Sequence, residues 1–164
     1  MAIKDALLPE FDHETGATRR LIERIPDGDL AWRPHEKSMT LGRLANHLAQ
    51  LTALVDRVVE AEELDLQRTG YTPPTFTSTA ERLAAFEAGA ARMRAQLEGL
   101  AWETALKPWR MTFGERVLID APRAEVIRRM GLSHMAHHRA QLGVYLRLLD
   151  VPVPGVYGPS ADEA

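Results

Sequence analysis

The chain has 164 residues, no cysteine, and 20 basic against 23 acidic side chains, which gives a formal net charge of −3. The length fits a single domain spanning residues 1–164. The absence of cysteine excludes a thiolate nucleophile, a redox dithiol, an iron–sulfur cluster and a cysteine-zinc site. The charge balance argues against nucleic-acid binding, and no apolar run approaches the roughly 20 residues of a membrane span. The N-terminal sequence lacks the apolar core of a signal peptide, so we expect a cytoplasmic protein.

Apolar residues recur with helical spacing in four segments of the chain. Pro9 lies near the start of the first segment, where a helix tolerates proline. Ser38 or Thr40 can cap the second segment, and Ser78 or Thr79, followed by Glu81 or Arg82, can start the third. The four predicted helices cover residues 6–25, 40–66 and 79–100, and a last segment that begins after Pro122 and ends near Asp150.

Four amphipathic helices of this length predict an all-α fold, a four-helix bundle. The long Pro- and Gly-containing breaks at residues 69–74 and 99–122 require at least one crossover connection. Within residues 106–120 the sequence also permits a short hairpin, with Gly114 at its turn and a strand-forming run at residues 117–119. The tail at residues 152–164 is too rich in proline and glycine for a helix, and we expect it to dock rather than to be disordered.

Three of the six histidines are predicted to face the interior of the bundle. Successive helical residues advance by about 100°, so His134 and His138 lie about 40° apart, in the middle of one apolar stripe. His47 lies on the inner face of the second helix, between Leu44 and Leu51. His137 falls at the edge of its stripe, and His13 and His35 are predicted to be solvated.

Two histidines at positions i and i+4 of a helix can reach one metal ion, and a third from a facing helix completes a three-nitrogen site. Such a site leaves coordination positions open, which is typical of catalytic rather than structural metals. Imidazole suits zinc, nickel, iron or copper, and nitrogen ligands alone do not select among them. The alternative is that each histidine is a hydrogen-bonded core residue.

Three stretches of the sequence resemble the DinB-like superfamily of bacterial four-helix proteins, which includes thiol S-transferases that use bacillithiol or mycothiol. The first contains the Ile25-Pro26 pair, residues 30–34 (LAWRP), residues 38–42 (SMTLG) and residues 44–49 (LANHLA). The second, residues 133–142 (SHMAHHRAQL), is similar to an HxxHHRGQ motif, with Ala140 where relatives often have glycine. The third covers residues 145–147 and the Pro- and Gly-rich tail to Ser160, and the resemblance extends over most of the chain.

This resemblance implies a divalent metal, zinc or nickel, bound by His47, His134 and His138, and a homodimer. It also implies thiol S-transferase chemistry, in which the metal lowers the pKa of an external low-molecular-weight thiol that then attacks a small electrophilic substrate. A metal-dependent hydrolase and a non-catalytic dimeric bundle that binds a small molecule or partner remain alternatives. The residues expected to line or brace the pocket, or to lie behind the ligands, are His137, Gln141, Tyr145, Trp32 and Arg139.

Overall fold

Four long helical stretches supply most of the apolar core. The computed structural model describes residues 3–70 and 72–163, without the side chains of Ile3 and Leu54. In chain order, the described elements are α1 (Ile3–Ile22), α2 (Leu41–Glu60), β1 (Glu63–Asp65), α3 (Leu66–Thr69), α4 (Thr79–Gly99), α5 (Trp102–Ala105), β2 (Pro108–Phe113), β3 (Arg116–Pro122), α6 (Arg123–Val126), a π-helical segment (Ile127–Ser133) and α7 (His134–Leu148). No helix in this part of the chain is both long and apolar enough to cross a bilayer.

Two of the bundle helices begin at caps that the sequence predicts. The Thr40 side chain accepts a hydrogen bond from the backbone N–H of Arg43 at the start of α2. Ser78 caps α4, and Ser78 and Glu81 form a reciprocal capping box. Each cap satisfies backbone donors that the first turn of a helix leaves unpaired, and this fixes where α2 and α4 begin.

The bundle has a non-sequential packing order. α1 and α2 each pack against α4 and α7, so these two consecutive helices lie diagonally across the core. The connection between them, from residue 22 to residue 41, therefore crosses one end of the bundle. The sequence instead predicts the crossover from the breaks at residues 69–74 and 99–122. The predicted apolar stripes of the first three segments supply buried side chains, among them Phe11, Leu21, Leu44, Leu48, Val55, Phe86, Met93 and Leu97. In the last helix the predicted stripe is centred on His134 and includes Gln141, but Gln141 is exposed and the buried face also contains Met135, Leu142 and Leu146.

A three-stranded sheet covers the C-terminal end of α2, so the fold is mostly helical and the all-α expectation misses this part. β2 and β3 form the predicted antiparallel hairpin, with Gly114 at a positive φ of 58° in its turn, a conformation that favours glycine. β1 adds in parallel to β2. The sheet is fixed to the core by buried side chains on one face: Leu64, Trp109, Met111 and Ile119.

α2 ends at Glu60, six residues before the predicted end at residue 66. The guanidinium of Arg123 caps this end: its Nη1 donates to the carbonyl oxygen of Val58 and, at 2.7 Å, to that of Ala61. The last carbonyls of a helix have no partner within the helix, so this buried arginine stabilises the point at which the chain leaves α2 for β1.

The last bundle helix is interrupted by a wide turn. A single α-helix after Pro122 was predicted, but residues 127–133 form a π-helical segment between α6 and α7. Gly131 lies in this segment against two neighbouring helices, and a Cβ atom there would be 2.8 Å from Met93 Cε and 3.2 Å from Val55 Cγ2. Glycine thus permits the close approach of the π-helical segment to α2 and α4.

The tail contains no helix as far as residue 163 and is bound to the bundle by polar contacts. Arg20 donates to the carbonyl oxygen of Gly155 at 3.2 Å. Asp162 pairs with Arg147 at 2.5 Å and accepts the backbone N–H of Val153 at 2.8 Å. The tail is therefore docked along most of its described length.

Candidate metal centre

The three histidines that the sequence singles out meet between α2 and α7. His47 comes from the second turn of α2, and His134 and His138 come from the first turn and a half of α7. One ring nitrogen from each lies within 4.8 Å of the others. The ring centroid of His138 is 4.6 Å from that of His47 and 4.6 Å from that of His134. Three potential ligand atoms from two helices thus converge on one point.

Gln141 fixes the orientation of the most buried of these rings. Its Oε1 lies 2.7 Å from His138 Nδ1, and a carbonyl oxygen can only accept, so Nδ1 carries the hydrogen. The lone pair of His138 is then on Nε2, which points at His134 Nε2 at a distance of 2.8 Å. A hydrogen bond to the far nitrogen of a ligating histidine is the usual way in which proteins set its tautomer for metal binding.

The surroundings keep all three imidazoles uncharged. Burial, followed by the charges of His138, His134 and Arg43, lowers the pKa of His47 from 6.5 to about 4. Burial also lowers the pKa of His134 and of His138, although the hydrogen bond that His138 donates to Gln141 partly opposes this for His138. Neutral imidazoles have free lone pairs, so at neutral pH the cluster is ready to bind a cation.

The donor set fits a divalent transition metal. His134 Nδ1 is buried and has no hydrogen-bond partner among the described residues. Three imidazoles this close would repel one another if they were protonated, so the cluster favours a shared metal ion over bound protons. The cluster contains neither carboxylate nor thiolate. Zinc and nickel accept an all-imidazole set, whereas magnesium and calcium prefer oxygen.

A cleft opens beside His47. It has a volume of about 520 Å³ and lies between the N-terminal half of α2 and the segment at residues 73–77. Its lining is mainly apolar and amide-bearing: Leu30, Met39, Gly42, Arg43, Asn46, His47, Gln50, Pro73, Pro74, Thr75, Phe76 and Thr77. A volume of this order is typical of sites for small organic molecules.

The sequence model of the DinB family matches residues 1–164. The chain belongs to the DinB family. YrdA, an uncharacterised protein of Bacillus subtilis strain 168, is 27% identical over 160 residues, which cover 97% of this chain and 90% of YrdA.

Solved structures of DinB-like proteins share the fold. A DinB-like protein from Bacillus cereus ATCC 10987 superposes with a TM-score of 0.68 at 23% identity, covering 93% of this chain and 97% of the other. YjoA, a DinB-like protein from Bacillus subtilis, gives a TM-score of 0.70 at 17% identity, with 92% and 97% covered. YfiT from Bacillus subtilis, described as a probable metal-dependent hydrolase with an unusual four-helix bundle topology, gives 0.64 at 15% identity, with 90% and 87% covered.

The other residues predicted for the pocket of this DinB-family chain occupy different positions around the histidines. His137 is exposed, and its ring centroid lies 4.8 Å from that of His138, outside the group of converging nitrogens. Tyr145 donates a hydrogen bond from its hydroxyl to the Met39 carbonyl at 3.1 Å, and its ring meets Trp32 edge-on at 5.6 Å. Tyr145 and Trp32 therefore hold the chain that leads into α2.

Arg139, also predicted near the pocket, faces α1 instead. Its guanidinium pairs with Glu14 at 2.6 Å and donates to the Tyr157 hydroxyl at 2.6 Å, and that hydroxyl donates to Glu14 at 2.8 Å. We call Arg139, Glu14 and Tyr157 the Arg139 cluster. His13, exposed as predicted, stacks on the Tyr157 ring at 5.6 Å. The cluster joins α1, α7 and the tail, and its role is structural.

Sequence reasoning did not find the cleft or the partners of Arg139. The segment at residues 73–77 contains two prolines and lies in what reads as a plain connection, with no periodicity to place it against α2. Glu14 and Tyr157 are far from Arg139 in the sequence. The one available signal was an arginine on an otherwise apolar side of a helix, since a charged side chain in such a place needs a partner.

Proposed function

We propose that His47, His134 and His138 hold a divalent metal, zinc or nickel, and that the protein is a metal-dependent enzyme. The observation that carries this proposal is the convergence of three imidazole nitrogens within 4.8 Å beside a cleft of about 520 Å³. Three protein ligands leave coordination positions free, which is the usual arrangement of catalytic sites. When bound, the metal supplies a Lewis acid that lowers the pKa of a thiol or a water molecule.

The first candidate reaction is transfer of an external low-molecular-weight thiol. The chain has no cysteine of its own, so any sulfur nucleophile must enter with the substrate. In this reaction the thiol loses its proton to solvent, its sulfur forms a bond to an electrophilic carbon, and the leaving group departs with its electron pair. Gln141 holds His138 in the ligating tautomer, and the apolar wall at Met39 and Phe76 limits the access of water.

The second candidate is hydrolysis, in which water replaces the thiol as nucleophile. It is favoured by the likeness to YfiT, which is described as a probable metal-dependent hydrolase. The same three histidines and the same cleft serve either reaction, because a Lewis acid activates both nucleophiles. The two candidates therefore differ in the required co-substrate, which can be tested directly.

Metal content is the first test. Untagged protein is incubated separately with zinc, nickel, manganese and iron, freed of excess metal, and measured by elemental analysis. We expect about one metal ion per chain in the wild type. His47→Ala and His134→Ala should lose it, whereas the exposed control variants His13→Ala and His35→Ala should keep it. A wild-type protein that retains no metal would show that the proposal is wrong.

Co-substrate dependence is the second test. The metal-loaded protein is mixed with chlorodinitrobenzene in the presence and absence of bacillithiol, mycothiol or cysteine. Thiol transfer predicts turnover that needs the thiol and is lost with His134→Ala. Ester substrates are tested in parallel. Turnover that does not require a thiol would contradict thiol transfer and favour hydrolysis. An intact, metal-loaded protein inactive in every assay would favour a bundle that binds its ligand without catalysis.

A further inference from the structure

The cleft beside His47 contains a single charged side chain among its lining residues, that of Arg43. The remaining lining groups are apolar side chains, hydroxyls, amides and the uncharged ring of His47. Among the residues that the structure describes, no carboxylate lines the cleft to neutralise the guanidinium. Arg43 is itself exposed, so its guanidinium can be reached from solvent. An open cleft with mainly apolar walls and one cationic side chain is complementary to an organic molecule that carries one negative group.

The position of Arg43 is not explained by helix stability. Arg43 lies in the first turn of α2, where the positive end of the helix dipole disfavours a cation, and that turn contains no acidic residue. Its backbone N–H is capped by Thr40, but its guanidinium has no ion pair or hydrogen bond within the described part of the chain. A side chain that is unfavourable for its helix position, and that no other contact stabilises, is often found at a functional site.

Arg43 shares one face of α2 with the candidate metal ligand. Arg43, Asn46, His47 and Gln50 stand at positions i, i+3, i+4 and i+7, which lie on the same side of a helix, and all four line the cleft. Arg43 precedes His47 by one turn, so their Cβ atoms are about 5–6 Å apart. A small molecule in the cleft can therefore contact Arg43 at one end and His47 at the other.

A buried arginine orients a second donor on this face. Arg82 is fully buried and donates from Nε to Asn46 Oδ1 at 2.9 Å and from Nη2 to the Phe76 carbonyl at 3.1 Å. Because Oδ1 of Asn46 is the acceptor, its amide NH₂ group remains as a donor for the cleft. The same arginine ties the cleft segment to α2, so both walls are held together before any ligand binds.

We infer that this cleft selects substrates bearing an anionic group, a carboxylate or a group of similar charge and shape, which Arg43 binds with the help of the Asn46 amide. Arginine matches such groups because its planar guanidinium can donate two parallel hydrogen bonds. The anionic group then lies one helical turn from His47, with its apolar remainder against Met39 and Phe76. The inference rests on the proposed function in one respect: it takes the end of the substrate that reacts to be the end beside His47.

The test compares phenylacetate with its neutral isostere phenylacetamide as ligands for the full-length protein. Binding is followed by NMR titration or calorimetry, both with zinc and after treatment with a chelator, because a carboxylate can also bind the metal. The variants are Arg43→Gln and Arg43→Lys. Arg57→Gln is the matched control, since Arg57 is an exposed arginine near the other end of the same helix.

We expect wild-type protein to bind the acid at least about tenfold more tightly than the amide, with and without zinc. Arg43→Gln should remove this preference, Arg43→Lys should retain part of it, and Arg57→Gln should leave it intact. Any of three results would overturn the inference. These are equal affinity of the wild type for acid and amide, a loss of the preference in Arg57→Gln as large as that in Arg43→Gln, and no measurable binding of phenylacetate.

Metal content of the same variants separates this inference from the proposed function. Arg43→Gln should keep its metal, because the guanidinium is not among the converging ligands. A wild-type protein that binds metal but shows no preference for the acid would contradict only the anion site. A preference that depends on Arg43 in a protein that binds no metal would contradict only the metal-dependent function.

Discussion

His138 and Arg139 are neighbours in α7, yet they belong to two polar clusters with opposite properties. Arg139 faces α1 and is matched by a buried carboxylate at 2.6 Å and by a tyrosine hydroxyl at 2.6 Å. His138 faces α2 beside His47, and the pKa of each of the three imidazoles is lowered. The one hydrogen-bond partner of His138 outside this group of histidines, among the described residues, is Gln141.

This contrast separates a cluster of opposite charges from the candidate metal-binding cluster. In the Arg139 cluster the guanidinium pairs with Glu14 and donates to the Tyr157 hydroxyl, which donates to Glu14 in turn, so each charge has a partner within the protein. The histidine cluster has no charged partner of its own, and its three rings converge with their nitrogens within 4.8 Å of one another. Lone pairs that converge in this way repel one another unless a proton or a cation lies between them, and a metal ion would remove that repulsion.

The largest effect is expected for a candidate metal ligand. His138→Ala should abolish stoichiometric metal binding, because it removes the most buried of the three converging nitrogens. His137→Ala is the matched control, since this exposed neighbour is outside the converging group. Elemental analysis after zinc loading measures both. Retention of metal by His138→Ala together with its loss from His137→Ala would mean that α7 presents a different face to α2.

On the other face of α7, Arg139→Ala should destabilise the fold by about 3–5 kcal/mol, because Glu14 would remain as an uncompensated buried charge. Urea unfolding measures this change in the free energy of unfolding. The double variant Glu14→Leu with Arg139→Met should lose much less, since neither charge remains. Zinc binding per folded molecule should be unchanged in both variants. A loss of metal that parallels the loss of stability would show that the two clusters are not independent.

A smaller change in metal affinity is expected from the residue behind His138. Gln141→Leu removes the acceptor at Nδ1 and should weaken zinc binding by about 10–100-fold, as is usual for such supporting contacts. Gln141→Glu keeps an acceptor at the same place and should bind zinc at least as tightly as the wild type. Competition with a chromophoric chelator gives both constants. An unchanged affinity in Gln141→Leu would show that packing alone orients His138.

The smallest effect is expected from mild acid. An unperturbed histidine has a pKa of about 6.5, so proton competition at about pH 5.5 weakens a metal site by about tenfold per ligand. The pKa of His47 is instead about 4, and those of His134 and His138 are also lowered. Zinc affinity should therefore fall by much less than tenfold per ligand between neutral pH and pH 5.5, measured by calorimetry. A decrease in zinc affinity of about tenfold per ligand would instead show that the three rings are solvated.

The same shifts fix the sign of the pH dependence of stability in metal-free protein. The folded-state pKa of His47 lies below its unfolded value, so the unfolded chain takes up a proton first as the pH falls. Stability is therefore fully present above about pH 6.5 and decreases towards pH 4. His47→Gln should reduce this slope, whereas substitution of the exposed His35 should not.

The sequence predicted those features that depend on local pattern. The helical stripes, the caps at Thr40 and Ser78, and the hairpin around Gly114 each follow from residues within a few turns of one another. The three histidines could be chosen because each stands on an apolar face. Periodicity within one helix is thus sufficient to place a side chain inwards, although it does not state which helix it meets.

Features that depend on distant pairing could not be read in this way. The strand β1 has three residues and exists because β2 supplies its hydrogen bonds, so on its own it looks like an extension of α2. The partners of Arg139 lie on α1 and in the tail, and the cleft needs the segment at residues 73–77 to return to α2. Such contacts are set by the packing of the whole bundle rather than by local preference.

The wide turn before α7 has a consequence for changes in chain length. A π-type turn contains one residue more than an α-type turn, so the loss of one residue within 127–133 can be absorbed by a return to regular helix, leaving both flanks in place. α7 is a regular helix with no extra residue, so the same deletion there rotates all following residues by about 100° about the helix axis. Natural relatives are therefore expected to tolerate single-residue length differences in the π-helical segment but not between His134 and Tyr145. A residue lost between His134 and His138, for example, would bring Arg139 to the position of His138.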